Sequence, residues 1–343
     1  MSAPPIRTVL FGYGLGGRVF HAPLIARDPR YSLDVIVTAD PVRAATAAAA
    51  YPAAVVVPTA EAALQRAGSL DLAVVSTPPA THGPIALKAL ESGLAAVVDK
   101  PFAHSAQAAA DLIAAAKSRG LVLSVFQNRR WDGDFLTLRR LVEQGAFGTV
   151  SRFESRMESY KPVVAKEWKR KAGADDGGGI LFDLGPHLID QALALFGPAE
   201  PVHAEVRARR VPQGPDDDVF VVLRHDSGVM SHLWMNSLAP QPGERFRVVG
   251  SESSWVKSGT DPQEGQLDAG LLPGDPGYGA EDPALWGLLG TGADTAAVPT
   301  AAGRYQDYYS GLAGALLDGT EVPVDPADSL RGLEIIQRIH AGL

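Results

Sequence analysis

Cysteine is absent from the 343-residue sequence. That excludes disulfides, thiolate nucleophiles, iron–sulfur clusters and cysteine-type zinc sites, and leaves the compartment open. No apolar run is long enough to span a bilayer, and the opening "MSAPPIRTVLF" lacks the basic-then-apolar layout of a signal peptide. The expectation is a cytoplasmic protein without membrane contact. A basic stripe is missing too: the formal charge is −8, so nucleic acid is not an expected partner. The one basic cluster, Lys166, Lys169, Arg170 and Lys171, reads as a solvated face before it reads as an anion site. HExxH and GxSxG are absent, and no metal is expected.

What is present is a folding composition, 46% hydrophobic and 20% charged, in a chain long enough for two domains. Short aliphatic runs read as buried strands: "IRTVLF" (6–11), "LDVIVT" (33–38), "AVVV" (54–57), "LAVVS" (72–76), "AAVVD" (95–99) and "LVLSV" (121–125). Helix-like stretches such as "AALQRA" (62–67), "IALKALES" (85–92) and "AQAAADLIAAAKSR" (106–119) lie between them. Such alternation predicts a doubly wound parallel sheet, a Rossmann-type α/β domain, over 1–126.

Residues 127–343 read differently. A helix is expected from about 134 to 144, then strands at 149–161, 203–211, 218–226, 229–236, 245–250 and 253–259, with "HDSG" closing a hairpin. The prediction is an α+β domain with a large, open, mostly antiparallel sheet and a helix at about 180–196 against it. Residues 260–300, rich in Gly, Pro and Asp, read as a long loop. Helices at about 304–318 and 327–341 close the chain.

"FGYGLGG" follows the first strand and opens the first helix. Gly12, Gly14 and Gly17 fit G-x-G-x-x-G in the context that gives it meaning. Gly12 permits the tight turn, Gly14 lets the backbone approach a diphosphate, and Gly17 allows helix to pack on strand. Tyr13, Leu15 and Gly16 complete the candidate cradle, whose helix N-terminus offers free N–H groups. The second strand ends in Thr38, Ala39 and Asp40, with Arg43 beyond. Asp40 could bind ribose hydroxyls. Equally, it could be a turn residue before Pro41, with Thr38 and Arg43 holding a 2′-phosphate.

Strand ends face the ligand crevice of such a sheet. They carry Ser76, Thr77, Pro78 and His82 after the fourth strand, and Asp99 and Lys100 after the fifth. Thr77 and His82 are candidates for cofactor contact, although Thr81 could simply cap the next helix. In "GGGILFDLGPHLIDQ" (177–191), Asp183 and His187 stand four apart, on one helical face, where a carboxylate can tune an imidazole. Pro186 suits a helix starting near Asp183, which would make Asp183 an N-cap; a core histidine is the plain alternative for His187. Asn128, Arg130, Trp131, Tyr160 and Trp168 are candidate substrate contacts.

In this order, "GYGLGG", "TPPATH", "DKP", "NRRW" and "GGG…D…H" resemble the Gfo/Idh/MocA family of oxidoreductases over nearly the whole chain. "GRVFHAP" and "LFDLGPHLIDQAL" look most like its NADP-dependent scyllo-inositol dehydrogenases. The resemblance implies a catalytic trio of Lys100, Asp183 and His187, NADP or NAD as cofactor, a sugar or cyclitol alcohol or ketone as substrate, and a homodimer or homotetramer. Three positions depart from the family pattern: Asp99 replaces the usual Glu, Pro186 a small polar residue, and Ala39-Asp40 the Ser-Arg of many NADP-dependent members. The rival readings are a catalytically silent dinucleotide-binding regulator and a reductase of another small carbonyl compound.

Overall fold

The computed structural model describes residues 4–163 and 178–343. The chain forms two compact units. One comprises Met1–Asn128, Gln263–Tyr278 and Arg304–Leu330; the other comprises Arg129–Pro262, Gly279–Gly303 and Arg331–Leu343.

The first unit holds strands β1 (Ile6–Phe11), β2 (Tyr31–Val37), β3 (Val55–Val57), β4 (Leu72–Val75), β5 (Ala95–Asp99) and β6 (Leu123–Phe126). They are all parallel, in the order β3-β2-β1-β4-β5-β6. The order reverses between β1 and β4, and a doubly wound sheet opens its crevice there. Every residue of β4 is buried, as a central parallel strand covered on both faces requires.

Helix α1 (Ala22–Arg27) continues a π-wound turn over Gly16–His21. Helices α2 (Pro41–Ala50), α3 (Ala60–Leu64), α4 (His82–Glu91) and α5 (Ala106–Arg119) fill the other crossovers. Local chemistry sets their ends. Ser105 accepts from Ala108 N at 3.2 Å to start α5, and Gly120, at φ 64°, ends it.

The second unit begins with α6 (Gly133–Glu143) and β7 (Val150–Glu158). Helix α7 (Ile180–Phe196) precedes β8 (Ala199–Arg207), β9 (Asp218–His225), β10 (Met230–Asn236), β11 (Phe246–Gly250) and β12 (Ser254–Lys257). The sheet is antiparallel except for the parallel pair β7 and β10. Helix α7 packs on β7, β9 and β10, and stacked Phe153, Phe246 and Trp255 fill the core.

The stretch expected as a loop carries more structure. It contains α8 (Gln263–Asp268) and the hairpin β13 (Gly287–Thr291) and β14 (Asp294–Val298), which extends the sheet beyond β12. These edge strands are mostly exposed, and their sequences, "GLLGT" and "DTAAV", show no apolar alternation to announce them. Helices α9 (Gln306–Asp318) and α10 (Pro326–His340) end the chain. Among the described residues, no helix is long and apolar enough to cross a membrane.

Candidate active site

Each glycine of the first turn has its own reason to lack a side chain. Gly12 has φ 96°, and a Cβ there would overlap the Ser76 carbonyl. At Gly17 a Cβ would overlap the Gly12 carbonyl, so bare backbone is what lets helix meet strand. At Gly16 it would collide with Ser76 Oγ and stand 2.9 Å from Asp99 Oδ2. Gly14 differs, because a Cβ there would meet only an Arg43 guanidinium nitrogen at 3.9 Å. Gly14 is therefore the bare, open point of the turn, with a helix starting just beyond it, and this cradle fits a dinucleotide diphosphate. Tyr13 is buried and edge-on to Tyr51, whereas Leu15 is 46% exposed.

At the end of β2, Asp40 Oδ1 accepts from Val42 N at 2.9 Å and Arg43 N at 3.0 Å, capping α2, with Pro41 at its first position. Asp40 Oδ2 lies 3.8 Å from Arg43 Nε. One carboxylate thus starts the helix and faces the arginine beside Gly14. Thr38 N donates to the Val57 carbonyl at 3.0 Å.

The ends of β4 and β5 meet in a polar knot. Asp99 Oδ1 accepts from Lys100 N at 2.8 Å, and Oδ2 accepts from Ser76 Oγ at 2.9 Å. Fully buried His21 brings Nε2 to 3.3 Å from Asp99 Oδ2 and Nδ1 to 2.7 Å from the Tyr309 hydroxyl. Burial pushes the Asp99 carboxyl up, but His21, with His82 and Lys100 adding charge, outweighs it and holds the group at about 2. The sequence alone does not single out His21 within "GRVFHAP". No local pattern marks a histidine whose partners lie 78 and 288 residues away.

His82 is 1% exposed, with its ring nitrogens 2.8 Å from the Pro101 carbonyl and 2.7 Å from the Thr77 carbonyl. It ties the turn after β4 to the cis Lys100–Pro101 segment. Thr81 supplies no side-chain cap to α4; its hydroxyl is 2.7 Å from both the Pro78 carbonyl and Thr77 Oγ1. Lys100 is half-buried at the strand end.

In the second unit, α7 starts at Ile180 rather than near Asp183, so Asp183 is not its N-cap and Pro186 lies inside the helix. The cap comes from far along the chain: the Asp216 carbonyl accepts from Ile180 N and its carboxylate from Leu181 N, each at 2.8 Å. Burial raises the pKa of that carboxyl. Gly185 before the proline has no Cβ to clash with the ring, which makes an internal proline tolerable. Asp183 sits half-buried in the first turn, where the helix dipole favours a carboxylate, and His187 follows one turn later at 4% exposure.

Arg130 is held by Asp190, Nε to Oδ2 at 2.8 Å and Nη2 to Oδ1 at 2.7 Å. Gln191 Nε2 donates to the Arg129 carbonyl at 2.9 Å and its Oε1 accepts from Arg245 at 2.8 Å. The "NRRW" turn is thereby fastened to α7. Asn128, in the first unit, is buried; Trp131 is half-buried; Tyr160 is 58% exposed and bridges to Leu238. Trp168 and the basic cluster lie outside the described residues.

Residues 6–127 match the oxidoreductase family with an NAD-binding Rossmann fold, and residues 135–256 match the GFO/IDH/MocA C-terminal domain. The chain is 39% identical to the oxidoreductase YdgJ of Escherichia coli K12, covering 97% of this chain and 94% of that one. It is 33% identical to the scyllo-inositol 2-dehydrogenase (NADP(+)) IolW of Bacillus subtilis 168, covering 97% and 92%. The solved structure of the oxidoreductase yvaA from Bacillus subtilis superposes with a TM-score of 0.93 at 32% identity, covering 99% and 97%. A glycine cradle of this geometry and two domain matches in the family's order make the chain a member of the GFO/IDH/MocA family of NAD(P)-dependent oxidoreductases.

Proposed function

We propose that the protein transfers a hydride between nicotinamide and a secondary alcohol or ketone of a cyclitol or sugar, with NADP the preferred cofactor. The observation that carries this reading is Asp183 one turn before buried His187 on α7, in a chain 33% identical to a scyllo-inositol dehydrogenase over 97% of its length. When bound, the nicotinamide supplies the carbon that takes up or returns the hydride.

The residues divide the remaining work. Backbone at Gly14, in the turn that Gly12 and Gly17 make possible, would hold the diphosphate, Thr38 and Arg43 would take the 2′-phosphate, and Ser76, Thr77 and Pro78 would flank the nicotinamide. In oxidation, His187 takes the hydroxyl proton as the carbinol carbon loses its hydride, leaving a ketone. Lys100 hydrogen-bonds the same oxygen and stabilises the negative charge that develops on it. Asp183 accepts from a neighbouring hydroxyl and orients the substrate.

The test follows reduced-nicotinamide absorbance with NADP or NAD paired with inositols, aldoses and their keto forms. Turnover with an inositol and NADP is expected, and Lys100→Ala and His187→Ala each lose roughly 10²–10⁴ in kcat while still binding NADPH. Cofactor binding without turnover across the panel identifies a silent regulator instead. Turnover with only a small aldehyde or a nucleotide sugar moves the substrate class.

We also infer a homodimer or homotetramer formed through the open sheet. On the side opposite buried Leu233 and Met235, Trp234 lies against Phe220 at 4.8 Å, with the Arg156 guanidinium 3.8 Å above its ring. Half-buried aromatics on an open sheet face suit a second copy. Light scattering that returns the mass of one protomer overturns this.

A further inference from the structure

The Asp99 carboxylate links the ends of β4 and β5 to the turn after β1. It accepts the Lys100 N–H, it accepts the Ser76 hydroxyl at the end of β4, and its Oδ2 sits where a side chain on Gly16 would approach to 2.9 Å. His21, rooted in the π-wound turn, approaches that carboxylate at 3.3 Å from a fully buried position.

A carboxylate only accepts, so the His21 proton belongs on Nε2, and Nδ1 is left to accept from the Tyr309 hydroxyl at 2.7 Å. Burial raises the Tyr309 phenol well above its ordinary pKa, which keeps it a donor. Tyr309 is itself fixed on α9, where its carbonyl accepts from the Tyr31 hydroxyl at 2.7 Å. The hydrogen bonds therefore run from Tyr309 to His21 to Asp99 and end at that carboxylate, which on its other oxygen accepts the N–H of Lys100.

We propose that His21 is a positioning residue for the hydride-transfer reaction: with Tyr309 behind it, it orients the Asp99 carboxylate and so fixes the Lys100 ammonium. The inference rests on the reading of Lys100 as the group that binds the reacting oxygen. It gives the late segment carrying Tyr309 a part in catalysis. His21→Leu removes the donor. His21→Gln keeps an amide N–H in reach of Asp99. Tyr309→Phe removes only the hydroxyl behind the ring.

In His21→Leu, kcat falls about ten- to hundredfold, the loss expected when a reacting group is misplaced by an ångström or less. NADPH affinity by fluorescence titration stays within about threefold, and His21→Gln restores most of kcat. Tyr309→Phe loses kcat severalfold at unchanged KM. A readout without turnover accompanies these: protein reductively methylated with ¹³C-formaldehyde gives a Lys100 resonance, assigned by its absence in Lys100→Arg. That resonance shifts or splits in His21→Leu and returns in His21→Gln.

A folded His21→Leu with wild-type kcat and an unmoved Lys100 resonance overturns the proposal. Should His21→Leu fail to fold, Tyr309→Phe with unchanged kcat and resonance does the same. Lys100→Ala separates the two levels: if it turns over normally, the parent reading fails; if it is inactive while His21→Leu is not, only the positioning role fails.

Discussion

Arg130 and Asp190 form a two-pronged ion pair, with nitrogen-to-oxygen distances of 2.8 and 2.7 Å, three residues beyond His187 on α7. The fork of Arg130, a candidate substrate contact, is matched to a carboxylate, while Gln191 beside it holds the Arg129 carbonyl. The pair is mostly buried, with side chains 15% and 4% exposed. Its geometry ties the turn before α6 to the helix that presents Asp183 and His187.

Breaking that pair should cost stability. Asp190→Ala leaves a guanidinium largely out of water without its partner, a loss of about 3–5 kcal/mol. Arg130→Lys keeps the charge but cannot make two parallel hydrogen bonds, so it costs less. Urea denaturation that finds Asp190→Ala within about 0.5 kcal/mol of wild type contradicts the anchoring role.

Cofactor selectivity should rest on Arg43. Asp40 is engaged in capping α2 and pairing with Arg43, while Arg43 stands beside the open point at Gly14. A charged hydrogen bond to a phosphate contributes about 1.5–3 kcal/mol. Arg43→Ala is therefore expected to raise KM for NADPH by about ten- to hundredfold and KM for NADH by less than threefold. Equal losses for the two cofactors would remove Arg43 from 2′-phosphate recognition.

Much of this was legible before the coordinates, for identifiable reasons. The parallel sheet was readable because central strands such as β4 and β5 are near-continuous aliphatic runs, and α5 because Ser105 and Gly120 mark its ends. Periodicity failed where the decisive contact is long-range. The edge hairpin β13–β14 depends on pairing to β12, and His21 on Asp99 and Tyr309; the bounds expected for α7 match, but the cap that Asp216 supplies to it could not be read locally. The Asp40 alternatives could not be resolved from the sequence because cap and ribose ligand use the same side chain, and only geometry shows the cap formed.

Acidification should weaken the first unit in two stages. Burial lowers the pKa of His82 below its ordinary 6.5, so as pH falls below 6.5 the unfolded chain takes up that proton first and stability declines. Asp99, held at about 2 against an ordinary 3.8, contributes about 2 kcal/mol above pH 4, and this is lost as pH falls from there toward 2. Asp99→Asn should be less stable than wild type at neutral pH, with a flatter decline between pH 4 and pH 2. Parallel declines for the two proteins in urea titrations across that window would detach the effect from Asp99.

The glycines of the first turn offer the sharpest contrast, because they differ in what a methyl group would strike. At Gly17 it would overlap the Gly12 carbonyl, which is backbone and cannot rotate away. Overpacking of that kind typically costs about 1–3 kcal/mol. Gly17→Ala should therefore lower the melting temperature even without cofactor, and NADPH should recover part of the loss only if the turn still closes. At Gly14 the methyl would meet nothing nearer than the Arg43 guanidinium at 3.9 Å. Gly14→Ala should melt like wild type without cofactor, yet weaken NADPH binding about tenfold, since the space it fills is the one the diphosphate needs. Calorimetry and fluorescence titration of both variants decide the matter. A Gly14→Ala protein that binds NADPH as tightly as wild type would mean that the diphosphate lies elsewhere, and the roles drawn for Arg43 and Lys100 would fall with it.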